Sequence, residues 1–129
     1  MTRVRVREAT PDDRAAVANV VDGAVLAVDD DVLARSLDVG ETLVAVSDDT
    51  DRVLGALVLD GNRIAAVAVR RRRRGQGIGS ALVEAAAERR ERLTAEFDAD
   101  VRPFYESLGF EINVVEGECE RCRGRLDCE

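Results

Sequence analysis

Lysine, histidine and tryptophan are absent from this chain, and aromatic side chains amount to one tyrosine and three phenylalanines. Without histidine the usual general base and the commonest metal ligand are missing. Any catalysis must therefore rest on carboxylates, tyrosine, serine, cysteine, backbone groups or water. Without lysine a Walker-type phosphate loop is excluded. So few aromatics argue against base-stacking platforms, hence against nucleic acid as a partner. No apolar run reaches the roughly eighteen residues of a membrane span, and Met1 to Arg5 has no apolar signal region behind its charges. No membrane partner is expected, and the expected location is the cytoplasm.

What is present is lopsided in charge. All 19 basic residues are arginine, and 26 acidic residues leave a formal charge of −7. A generic polyanion-binding surface is disfavoured, and a carboxylate excess without lysine fits a halophilic protein that stays soluble in concentrated salt. The apolar fraction of 46% comes mostly from alanine, valine and leucine, so the core must be aliphatic and finely packed. The 129 residues suit one domain, and no repeat or linker interrupts them.

Arg3 to Arg7 alternates basic and apolar residues as a half-buried strand would. Thr10-Pro11-Asp12-Asp13 then reads as the start of a helix running to about Ala24, with Val17, Ala18, Val21 and Val25 on one face. A weaker helix follows Asp29-Asp30-Asp31 and stops at Gly40. Thr42 to Val46 and Val53 to Leu59 read as a hairpin, and Gly61-Asn62 turns the chain into a strand from Ile64 to Val69. A long helix is expected from about Gly77 to Leu93, with Ile78, Ala81, Leu82 and Ala85 inward. A strand from Leu93 to Phe97, a short helix from Arg102 to Leu108, and strands over Phe110 to Val115 and Arg121 to Leu126 complete the chain.

Arg74-Gly75-Gln76-Gly77-Ile78-Gly79-Ser80 lies between an expected strand and an expected helix, where free backbone N–H groups and the helix dipole meet a phosphate. Glycine permits the close approach and the unusual dihedrals. The bland alternative is an arginine-rich surface loop with a loosened helix start. A dinucleotide fingerprint is also near, but its third glycine position holds Ser80.

The turn resembles the Arg/Gln-x-x-Gly-x-Gly/Ala signature of the GNAT acyltransferase superfamily, with Arg74, Gly77 and Gly79 at its fixed positions. Phe104-Tyr105-Glu106-Ser107-Leu108-Gly109-Phe110 resembles that family's second signature, a short helix carrying a tyrosine before a Gly-Phe entry to a strand. The resemblance implies an α/β fold with a mixed central sheet flanked by helices. It also implies transfer of acetyl from acetyl-CoA directly to a primary amine. Backbone amides from Gly75 through Gln76, Gly77, Ile78 and Gly79 to Ser80 would cradle the pyrophosphate. Val67, Ala68 and Val69 would line the pantetheine arm, with the Val69 amide as a candidate oxyanion donor. Tyr105 is the implied general acid, and Asp98 stands where the family has an asparagine on the pantetheine arm.

The family's usual carboxylate base is missing from Ile64 to Val69, which implies proton removal through water; Asp60 or Glu41 could assist, but each reads first as a turn residue or a solvated charge. Of Arg70 to Arg73, one or two are expected on the cofactor. The acceptor is a small molecule or a protein amine, and the acidic surface favours a cationic one. A homodimer through the late strands is a further expectation. Two other classes stay open: a non-catalytic acyl-CoA-binding module, and a domain using Cys119, Cys122 and Cys128 on zinc, although no fourth ligand follows at a finger spacing.

Overall fold

Apolar runs and alternating segments divide this chain into a sheet buried on both faces at its centre and on one face at its end. The computed structural model describes residues 4–23, 30–48, 52–70, 77–98, 101–114 and 121–127. They form β1 (Val4–Glu8), a 3-10 turn (Pro11–Asp13), α1 (Arg14–Gly23), α2 (Asp30–Asp38), β2 (Thr42–Ser47), β3 (Val53–Asp60), β4 (Arg63–Val69), α3 (Ile78–Arg89), β5 (Arg92–Asp98), α4 (Arg102–Ser107), β6 (Glu111–Val114) and β7 (Arg121–Asp127). The strands join in the order β1-β2-β3-β4-β5-β7-β6. Only β4 and β5 run parallel; the other neighbours are antiparallel.

β2 and β3 read as continuous apolar runs because both their faces are covered. Leu43, Ala45 and Leu57 meet Ile78, Leu82, Val83 and Ala86 of α3 in one core. Val44, Val46, Ala56 and Val58 meet Val17, Val20 and Val21 of α1 and Leu33 and Leu37 of α2 in the other. β5 alternates instead: Leu93, Ala95 and Phe97 enter the α3-side core, while Glu96 on the opposite face is exposed. Among the described residues, no helix is long and apolar enough to cross a membrane.

Local chemistry fixes the seams. The Asp13 carboxylate accepts the Thr10 amide at 2.9 Å and both guanidinium nitrogens of Arg7, at 2.8 and 3.2 Å, tying β1 to the start of α1. The Arg7 hydrogen bonds are the main reason the Asp13 carboxyl titrates below its ordinary value, against the opposing effect of burial. α3 ends at Arg89, short of Leu93, because Arg90 turns extended (φ −135°, ψ 148°) so that Arg92 can begin β5. Its buried set is Ile78, Leu82, Val83 and Ala86, and Ala81 and Ala85 lie at its half-buried margin.

Candidate functional site

The parallel seam opens shortly after it starts. Arg63 and Ile64 pair with Thr94 and Ala95, and among the described residues the β4–β5 ladder goes no further, although β4 continues to Val69 and β5 to Asp98. A bulge in β4 decides what faces the opening. Val58 pairs with Ala66 and Leu59 with Ile64, so Ala65 is the extra residue and the strand's parity reverses there. Below the bulge the Asn62 carbonyl points at β5, accepting the Thr94 amide at 2.9 Å. Above it the Arg70 amide points at β3, donating to Leu54 at 2.8 Å. Ala66 and Ala68 share that direction, and the backbone groups of Val67 and Val69 therefore face the opening. Core membership agrees: Ile64, Val67 and Val69 belong to the α3 side, and Ala65, Ala66 and Ala68 to the α1/α2 side.

α3 begins over the upper end of this opening. Gly77 is its N-cap with φ +80°, a left-handed conformation that glycine adopts without penalty. Its carbonyl accepts the Ala81 amide at 3.0 Å. No side chain caps this end, and no acidic residue stands in the first turn. The amides of Ile78, Gly79 and Ser80 have no acceptor within the helix, by the geometry of any helix start, and the dipole favours an anion there. The Ile78 side chain is buried beneath them. Arg74, Gly75 and Gln76, with Arg71 to Arg73, lie outside the described residues.

Gly79 has a second role. A Cβ there would sit 3.2 Å from the Phe104 ring and 3.8 Å from Val69, so glycine lets α4 close on the start of α3 and the end of β4. Phe104 was visible in the sequence as part of a motif, but nothing there marked it as the contact that joins the two. Tyr105 lies next to it, stacked on Phe97 at 4.1 Å and edge-on to Phe104 and Phe110 at 5.0 and 5.2 Å. Gly124 of β7 makes room for this cluster, since a Cβ would meet Phe97 at 3.0 Å and Phe110 at 3.1 Å. Burial pushes the Tyr105 phenol up to about 12, so it keeps its proton at neutral pH and well above it.

The other singled-out residues separate from this centre. Arg70 donates to the Val53 carbonyl at 2.7 Å and to Asn19 of α1 at 3.0 Å, which anchors it in the fold on the α1 side. Asp60 pairs with Arg35 and Arg63, and Glu41 accepts the Gly61 amide at 3.0 Å and pairs with Arg90, so both act as clamps on the β3–β4 turn. Asp98 is the last residue of β5, opposite Arg121 of β7. Cys122 is a buried free thiol in the α3-side core. Cys119 and Cys128 lie outside the described residues, and among those described no cluster of metal-ligating side chains occurs.

Comparison with known proteins places this geometry. No curated protein matches the chain in sequence. Among solved structures, a GNAT-family acetyltransferase from Bacillus cereus superimposes with a TM-score of 0.81 at 16% identity, covering 98% of this chain and 99% of that one. Naa50 of Arabidopsis thaliana, solved with the bisubstrate analogue CoA-Ac-MVNAL, gives 0.76 at 19% identity over 96% and 98% of the two chains. N-acetylglutamate synthase from Neisseria gonorrhoeae, solved with coenzyme A and N-acetyl-glutamate, gives 0.74 at 15% identity over all of this chain and 36% of that one. These likenesses show the fold. The sequence profile of the acetyltransferase (GNAT) domain matches residues 38–112, more than half of the chain. The opened β4–β5 seam and the glycine-started α3 thus belong to an acyltransferase, a member of the GNAT acetyltransferase family.

Proposed function

We propose that the chain is an N-acetyltransferase that moves the acetyl group of acetyl-CoA onto a primary amine by direct attack. The observation that carries this reading is the parting of β4 and β5 above Ile64 and Ala95, directly beneath an uncapped helix N-terminus. The α3 amides, with those of Gly75 and Gln76 before them, bind the pyrophosphate. Arg74 adds charge at the same turn. Val67 then holds the pantetheine arm as an added strand would, with Ala68 and Val69 lining it and Asp98 across the opening. From Val69 to Ile64 is roughly 13 Å of strand, so an arm running down this edge delivers its far end to the crotch of the seam. The cleft-facing amide nearest the crotch is Val67, and it takes the oxyanion role that the sequence suggested for Val69. Tyr105 donates a hydrogen bond to the departing sulfur. The cofactor supplies the activated acyl group, and the family's structures solved with CoA ligands support the fit.

Calorimetric titration of acetyl-CoA into the wild type, Gly77→Glu and Ser80→Glu in high-salt buffer tests the reading. Gly77→Glu forces a side chain onto positive φ. Ser80→Glu needs no such conformation, and its carboxylate suits a helix start, so that variant keeps its fold. The expected result is binding by the wild type and weakening by about tenfold or more in both variants. A wild type that does not bind ends the proposal.

A further inference from the structure

On the sheet face opposite α3, a cavity of about 140 Å³ is lined by Arg63, Thr94, Ala95, Glu96 and Arg123. It lies at the crotch: Arg63 and Ile64 make the last β4–β5 pairs with Thr94 and Ala95, and Glu96 is the next residue along β5. Glu96 is level with Arg123 of β7. Thr94 and Glu96 alternate with core residues of the α3 side, so they point into this cavity's face. Arg63 is level with Thr94, and Glu96 and Arg123 stand two residues further along β5 and β7, so two guanidiniums and a carboxylate line one cavity at the lower end of the proposed cleft.

These charged heads are available. Glu96 and Arg123 touch through a single 3.4 Å contact with side chains 46% and 63% exposed, a pair that contributes little and that a ligand can replace. Arg63 leans on Asp60 at 3.5 Å, but the other Asp60 oxygen is held by Arg35. We infer that the acceptor is a small zwitterionic amine of the α-amino acid class, its ammonium docked on Glu96 and its carboxylate held between Arg63 and Arg123. This rests on the proposed function above. At about 30 Å³ per water-sized atom, a cavity of this size holds about five heavy atoms, the number in an amino acid core with its side chain directed outward. A purely cationic amine could dock on Glu96 but would bring no carboxylate for the two guanidiniums that line the same cavity. The negative surface that draws cations from afar is screened beyond about 10 Å, whereas the guanidiniums act in contact.

The step balances without another reactant. The docked ammonium first loses a proton to water. The free amine nitrogen then bonds to the acetyl carbon, the carbon–sulfur bond breaks, and the remaining excess N–H proton ends on the sulfur. The products are the N-acetylamino acid and the thiol of CoA.

The test offers acetyl-CoA and each of the common L-amino acids beside its carboxamide, with thiol release as the readout. At least one free amino acid should be turned over with kcat/KM about tenfold or more above its amide. Arg123→Gln should raise KM about tenfold for that amino acid and by clearly less for its amide, while Glu96→Gln lowers kcat/KM for both. Both variants should bind acetyl-CoA as the wild type does in calorimetry. Loss of acetyl-CoA binding by the wild type overturns the cleft reading and this inference together. Intact binding with amide and free acid used equally, or with no amino acid used, overturns this inference alone.

Discussion

Tyr105 carries the only phenol in the chain, and its ring is enclosed by Phe97, Phe104 and Phe110. With its pKa pushed up to about 12 by burial, it acts as a donor across the usable pH range and cannot act as a base. Replacing it with phenylalanine keeps the stack and removes the donor. Tyr105→Phe should therefore bind acetyl-CoA unchanged and lose about a hundredfold in kcat, measured at saturating substrate. Stability offers a second readout. The folded state keeps the phenolic proton between pH 10 and about 12 while the unfolded chain releases it, so the contribution is full below pH 10 and is lost as pH rises through 12. Denaturant titrations should show the wild type losing about 2–3 kcal/mol over that interval and Tyr105→Phe losing less. An equal loss would place the phenol in contact with water.

At the scale of elements, the start of α3 and α4 meet where Gly79 lies against the Phe104 ring. Gly79→Val should cost about 1–3 kcal/mol by overpacking. Phe104→Ala leaves a gap, and the double variant should recover about 1 kcal/mol relative to the sum of the single ones, as read by a double-mutant cycle in urea. Strict additivity would mean that the two elements do not touch. This contact shows what the sequence could and could not disclose. The glycine start of α3 at Gly77 and the short helix that carries Tyr105 were legible because their spacing is local and chemical. The β4 bulge was not, because Ile64 to Val69 is apolar on both faces, so a reversal of parity at Ala65 leaves no trace in the pattern. Glu96 was not singled out in the sequence, where it is one of 26 acidic residues. Only the register that places β7 between β5 and β6, a long-range choice, brings it beside Arg123 at the seam. The end of α3 was misjudged because the arginines and glutamate at positions 89–92 are good helix formers, and sheet formation by Leu93 overrides that preference.

At the scale of the whole molecule, a net charge of −7 opposes compaction, and the arginines answer it through ion pairs spread over the surface. Arg92–Asp127, Arg89–Glu8 and Arg102–Glu106 all join side chains exposed by a third or more. Such pairs each contribute little, and salt screens them. The self-repulsion of the excess carboxylates is screened by the same salt, from a reach of about 30 Å at 0.01 M to about 3 Å at 1 M. If repulsion is the larger of the two effects, added salt stabilises, which is the behaviour proposed here for a salt-adapted chain. Between 0.05 and 1 M potassium chloride the melting temperature should then rise by about 5 °C or more, the equivalent of roughly 1 kcal/mol in a domain of this size. Chloride is weakly salting-out, so a parallel scan in sodium sulfate separates screening from strengthened apolar burial. A melting temperature that stays flat or falls in chloride would show that the ion pairs outweigh the repulsion, and the salt-adapted reading would be withdrawn.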